Sequence, residues 1–117
     1  MSESFRRRLR EFLQANDPGP APKDPAQRLQ WQRDLAALLV DEGFAAPAWP
    51  REWGGMDLPL ADQVVYHEEF AKVKRPPHPG PGIWVGGPTI IKPGTDEQRR
   101  RFLRPGLRGD IIWVQGF

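Results

Sequence analysis

The sequence predicts an all-α fold: a short bundle of about five helices joined by long Pro/Gly-rich loops, closing on a single β-strand. Three observations carry this. Apolar residues recur at helical spacing in several segments, and two of those segments open with a capping-box pattern. Most of the 12 glycines and 14 prolines crowd into four stretches, 16–25, 43–59, 74–88 and 104–109, which separate the segments. The run Asp110-Ile111-Ile112-Trp113-Val114-Gln115-Gly116-Phe117 has strand character and comes after the last helix. A lone apolar strand leaves its backbone donors and acceptors unpaired. This end is therefore expected to be a junction, with a helical domain over 1–109 and the opening strand of a β-domain over 110–117.

Each element has its own justification. Residues 2–15 place Phe5, Leu9, Phe12 and Leu13 on one side of a helix and arginines on the other, and Asn16-Asp17-Pro18-Gly19-Pro20 ends it. A second helix over 25–42 has Asp24 as N-cap, Pro25 at its first position and Gln27 completing a capping box. Leu29, Trp31, Leu35, Leu38 and Leu39 make its stripe, and Gly43 supplies the stop. The stretch Phe44 to Gly55 has no clear period, and its two tryptophans are expected to anchor an irregular loop. A third helix over 59–73 carries Val64, Val65, Phe70 and Val73, with Leu60 and Ala61 near its start. A fourth, from Ile83 to Lys92, is interrupted by Gly86, Gly87 and Pro88. Thr95-Asp96-Glu97-Gln98 opens a fifth through Leu103, with Arg104-Pro105-Gly106 as the expected stop.

Composition removes several functions. The 117 residues allow one domain, and the long joints between short elements imply stabilisation from a neighbouring domain or subunit. A formal charge of +2 does not imply a polyanion partner. Without cysteine there are no disulfides, thiolate metal sites or cysteine nucleophiles. No apolar run approaches a membrane span, and the start lacks a secretory core, so a cytoplasmic location is expected.

The polar constellations are weak. His67-Glu68-Glu69 lacks the second histidine of a zinc-protease helix, since Ala71 stands there, and is expected to form a solvated or partly packed face. Arg6-Arg7-Arg8 and Arg99-Arg100-Arg101 spread around their helices and have acidic neighbours, unlike the one-sided charge of a nucleic-acid binder. Gly80-Pro81-Gly82 and Gly86-Gly87 lack the context of a phosphate loop. No catalytic residue and no metal site are predicted.

Trp49-Pro50-Arg51-Glu52-Trp53-Gly54-Gly55 resembles the W-P-x-E-(Y/W)-G-G signature of flavin-dependent acyl-CoA dehydrogenases. In the family's order, Tyr66-His67-Glu68-Glu69-Phe70-Ala71 resembles its E-E-(L/F)-A segment. The run from Gly87 to Arg99 resembles G-P-T-(I/L)-x-x-x-G-T-x-E-Q-(K/R), and Trp113 to Phe117 is similar to the W-x-Q-G-(Y/F) stretch ahead of the family's S-E-P flavin loop. The resemblance covers roughly residues 25–117 and implies a helical N-terminal domain, a middle β-domain and a C-terminal helical bundle. It implies FAD as cofactor, an acyl-CoA substrate oxidised to the 2-enoyl-CoA, an electron-transfer flavoprotein as acceptor and a homo- or hetero-oligomer. The catalytic base of the family belongs to its C-terminal bundle and has no counterpart in these residues.

By the same resemblance, Gln115, Gly116 and Phe117 run beside the flavin, and Trp84, Val85, Gly86 and Pro88 wall the acyl pocket. Trp84 and Val85 read equally well as ordinary core. Trp49 and Trp53 are expected to pin their loop. Lys92 stands where the family usually has an apolar or small residue, either as a cation near the pocket floor or turned to solvent. On this reading the chain alone is inactive. The competing readings are a stand-alone interaction module without redox chemistry and, more weakly, a basic nucleic-acid binder.

Overall fold

The computed structural model describes residues 2–73 and 86–112. Within them run α1 (Ser2–Ala15), α2 (Pro25–Asp41), a 3-10 turn at Arg51–Trp53, α3 (Leu60–Val73), α4 (Gly87–Ile91) and α5 (Asp96–Leu107). There is no strand among the described residues. The all-α expectation holds. The expected strand residues 113–117 lie outside them.

The most extensive packing joins α1 to α3; α5 meets α4, the 3-10 turn and α2. On α1, Phe5, Leu9 and Leu13 are buried, four residues apart, so one narrow stripe faces α3. Each such burial contributes roughly 2 kcal/mol. Phe12 stacks obliquely on Phe44 with ring centroids 4.6 Å apart. Asn16 closes the helix with backbone and side-chain bonds to the Phe12 carbonyl, at 3.0 and 2.9 Å.

Asp24 accepts from the Gln27 N–H at 3.0 Å, as the sequence predicts. The return half of the box is replaced by Arg28, which reaches back to the carbonyls of Pro22 and Lys23. At the other end, the N–H of Gly43 bonds the Val40 carbonyl and that of Phe44 the Leu39 carbonyl, with Gly43 at φ +79°. This is a Schellman stop, the one place in α2 that needs a left-handed residue.

Two expectations change. α5 does not stop at Arg104 but runs through Pro105 to Leu107. Proline in a last turn forfeits a single N–H bond, and burial of Leu103, Gly106 and Leu107 outweighs that loss. α4 runs from Gly87 to Ile91 with Pro88 in its first turn, and Gly86 ahead of it is also helical; positions 83–85 lie outside the described residues. On α3 the buried apolar residues are Val65, Tyr66 and Phe70, whereas Leu60 is 75% and Val64 53% exposed. The apolar stripe of α3 is narrower than its composition suggests because α1 covers only one side.

Candidate functional site

The loop between α2 and α3 is built from backbone constraints. Trp49 is buried, and the Ala46 carbonyl accepts the N–H groups of both Trp49 and Met56, each at 3.1 Å. Asp57 N–H bonds the Trp49 carbonyl at 2.9 Å and Leu58 N–H the Pro47 carbonyl at 2.9 Å. The two limbs of the loop thus lie against each other around the 3-10 turn. A Cβ on Gly55 would stand 2.3 Å from both the Cβ and the carbonyl oxygen of Trp49, so glycine is required there. Gly54 has φ +100°. Ala46 (φ 47°) and Asp57 (φ 48°) adopt the left-handed region despite their side chains, a cost the loop's bonds must offset. Trp49 pins the loop as expected, with Trp53 packed partly buried against the same core.

The α4–α5 pair carries the part of the expected pocket wall that the structure describes. Gly86 and Gly87 are buried, and Pro88 is exposed. Thr95 and Gln98 form the predicted capping box, with bonds of 3.1 and 2.9 Å in the two directions. Arg99 reaches back to the carbonyls of Ile91 and Lys92 at 2.8 and 3.3 Å and pairs with Asp96 at 2.7 Å. These bonds close the carboxyl end of α4 onto the start of α5. A cleft of about 260 Å³ lies between them, lined by Thr89, Ile90, Pro93, Gly94, Gln98 and Phe102. Lys92 is exposed. Trp84, Val85, Gln115, Gly116 and Phe117 lie outside the described residues, and no flavin contact is assigned to them.

A second constellation is not foreseen by the sequence. Glu69, expected on a solvated or partly packed face, is 2% exposed. Arg10 grips it with Nε at 2.9 Å from Oε1 and Nη2 at 3.1 Å from Oε2. Arg6 donates to Oε2 at 2.8 Å and Lys72 at 3.0 Å. The Arg10 hydrogen bonds, with those from Lys72 and Arg6, outweigh burial and lower the Glu69 carboxyl to about 2. Arg6 also holds the exposed Glu68 at 3.0 Å. The E-E pair of this segment is thus the receiving end of an ion network from α1. One helical turn before Glu69, the Tyr66 hydroxyl donates to the Phe44 carbonyl at 2.8 Å, and burial raises its pKa. Among the described residues no group of acidic or histidine side chains has the grouping of a metal site.

The described residues thus form a helical layer that carries a glycine-pinned aromatic loop and a cleft between α4 and α5. The comparisons with known proteins name its kind. Residues 2–110 match the family model "Acyl-CoA dehydrogenase, N-terminal domain". Over 98% of its length the chain is 32% identical to acyl-CoA dehydrogenase IpdE1 of Mycolicibacterium smegmatis, covering 32% of that protein. IpdE1 of Mycobacterium tuberculosis is 34% identical with the same coverages. Of solved structures, the ChsE4-ChsE5 complex from Mycobacterium tuberculosis superposes with a TM-score of 0.69 at 31% identity, over 94% of this chain and 28% of that one. The Tcur3481-Tcur3483 steroid ACAD, in a variant form, gives 0.66 at 29%, over 94% and 30%. The chain belongs to the acyl-CoA dehydrogenase family, and it spans about a third of the length of the curated relatives it matches.

Proposed function

We propose that this chain acts as the N-terminal helical part of a flavin-dependent acyl-CoA dehydrogenase, walling the acyl pocket while the reactive groups come from other domains. The observation that carries this is the family match over residues 2–110 together with the glycine-pinned Trp49–Gly55 loop, whose residue types are dictated by its geometry. When bound, FAD would accept a hydride from the acyl chain, and electron-transfer flavoprotein would reoxidise it. The chain's own contribution is shape and dryness. Removing a proton beside a thioester needs a slot from which water is excluded, and the α4–α5 pair, closed by Arg99, forms a rigid section of such a wall.

A bulky, steroid-type acyl thioester is the substrate class we favour, supported by the likeness to a protein named as a steroid ACAD. Assembly with further subunits is supported by the likeness to the ChsE4-ChsE5 complex. A cytoplasmic location belongs to the same proposal; among the described residues no helix is long and apolar enough to cross a membrane.

The test is dehydrogenation by the enzyme that carries this domain together with its β and C-terminal domains, offered steroid-side-chain and straight-chain CoA thioesters with an artificial electron acceptor. The expected result is flavin reduction by the bulky thioester. Absence of flavin reduction by any acyl-CoA would remove the reading, and exclusive turnover of straight chains would remove its substrate class.

A further inference from the structure

The pocket-wall reading makes no use of the joint between α2 and the end of α5, which is heavily bonded. Arg33, midway along α2, donates from Nε to the Gly109 carbonyl at 2.6 Å and from Nη2 to the Asp110 carbonyl at 3.3 Å. Gly109 has φ +82°, and a Cβ there would stand 3.1 Å from the Arg33 Cα. The Pro105 carbonyl accepts both the Asp110 and Ile111 N–H groups, at 2.9 and 3.1 Å, and Gly109 N–H bonds the Gly106 carbonyl at 3.3 Å. Arg108 pairs with Asp41 across the same joint and lies 3.7 Å from Asp110.

A chain leaving a helix toward water needs none of this, because solvent satisfies its last carbonyls. Ordering three residues beyond α5 with donors from a helix 76 residues earlier costs conformational entropy and has to serve a purpose. The planar guanidinium fork spans two successive carbonyls and so fixes a direction as well as a position.

We propose that Arg33 is a positioning residue: by holding the Gly109 and Asp110 carbonyls it sets the direction in which the chain leaves the helical domain, and with it the start of the segment that follows. The inference rests on the proposed function and on the resemblance by which Gln115, Gly116 and Phe117 would run beside the flavin.

The experiment uses the complete flavin-loaded enzyme and the variants Arg33→Met, Arg33→Lys and Asp41→Asn. Amide exchange at Asp110 and Ile111 is expected to quicken about tenfold in R33M, with Leu9 and Leu13 unchanged. FAD affinity is expected to weaken about tenfold with a shift of the visible flavin band, both partly restored in R33K, which keeps a donor. Asp41→Asn, a milder change, should quicken the same two amides by less. A packing role of the stem alone predicts wild-type behaviour for R33M, which keeps an unbranched apolar stem as far as the Nε position; that result would overturn the proposal. Quickened exchange with an unaltered flavin band and affinity would overturn it too. If the wild-type enzyme takes up no FAD, the reading of function fails, and the exchange comparison, which needs no cofactor, still decides whether Arg33 holds the joint.

Discussion

In the loop from Phe44 to Pro59 the constraints sit in the backbone: a glycine with no room for a methyl, two non-glycine residues at positive φ, and paired carbonyls and amides. In the α1–α3 pair they sit in side chains: six buried apolar residues, three from each helix, and a carboxylate gripped by three cations. The first region tolerates no added atom at Gly55. In the second, loss of the Glu69 charge would leave Arg6, Arg10 and Lys72 without the carboxylate they share. A backbone-built region fails sterically, and a side-chain-built one fails electrostatically.

Substitutions sharpen that contrast. Gly55→Ala should cost about 3 kcal/mol or more, because the clash is with the Trp49 backbone and cannot be relieved by a rotamer; denaturant melts of chain and variant measure it. Glu69→Gln should cost about 2 to 3 kcal/mol, at or just below the lower end for breaking a buried pair, since Arg10 and Lys72 remain partly solvated. Tyr66→Phe should cost about 1 kcal/mol for the bond to the Phe44 carbonyl. Glu68→Gln should cost less than about 0.5 kcal/mol, because Glu68 is exposed. If Glu68→Gln and Glu69→Gln proved equal, the side-chain half of the comparison would collapse.

The same carboxylate predicts a pH dependence. Its folded pKa, about 2, lies below the ordinary value of 4.5. The unfolded state therefore binds the proton more readily, and Glu69's contribution is fully present above about pH 5. It is lost as pH falls from there toward 2. In that window the stability gap between the chain and its Glu69→Gln variant should narrow steadily, read from denaturant melts at each pH. A gap independent of pH would mean that the carboxylate titrates normally.

The contrast also explains what could be read in the sequence. The caps of α2 and α5 and the Gly43 stop were legible because a cap is decided by residues three or four apart. The Trp49–Gly55 loop was legible as a loop and as a family signature, though the reason for Gly55 appears only once the loop closes on Trp49. The burial of Glu69 was not legible, because its partners Arg6 and Arg10 are 63 and 59 residues away. Nor was the continuation of α5 through Pro105, which depends on packing against the 3-10 turn and α2. Of the expected pocket wall, Gly86 is buried and Pro88 exposed in this chain, and Trp84 and Val85 lie outside the described residues.

The central claim is that these helices are scaffold and the reaction is carried elsewhere. Titrating the 117-residue chain with FAD, followed by addition of an acyl-CoA, tests it most directly. The account predicts neither stoichiometric FAD uptake nor bleaching of the flavin. A chain that turned yellow at one FAD per molecule and bleached on acyl-CoA would contradict it.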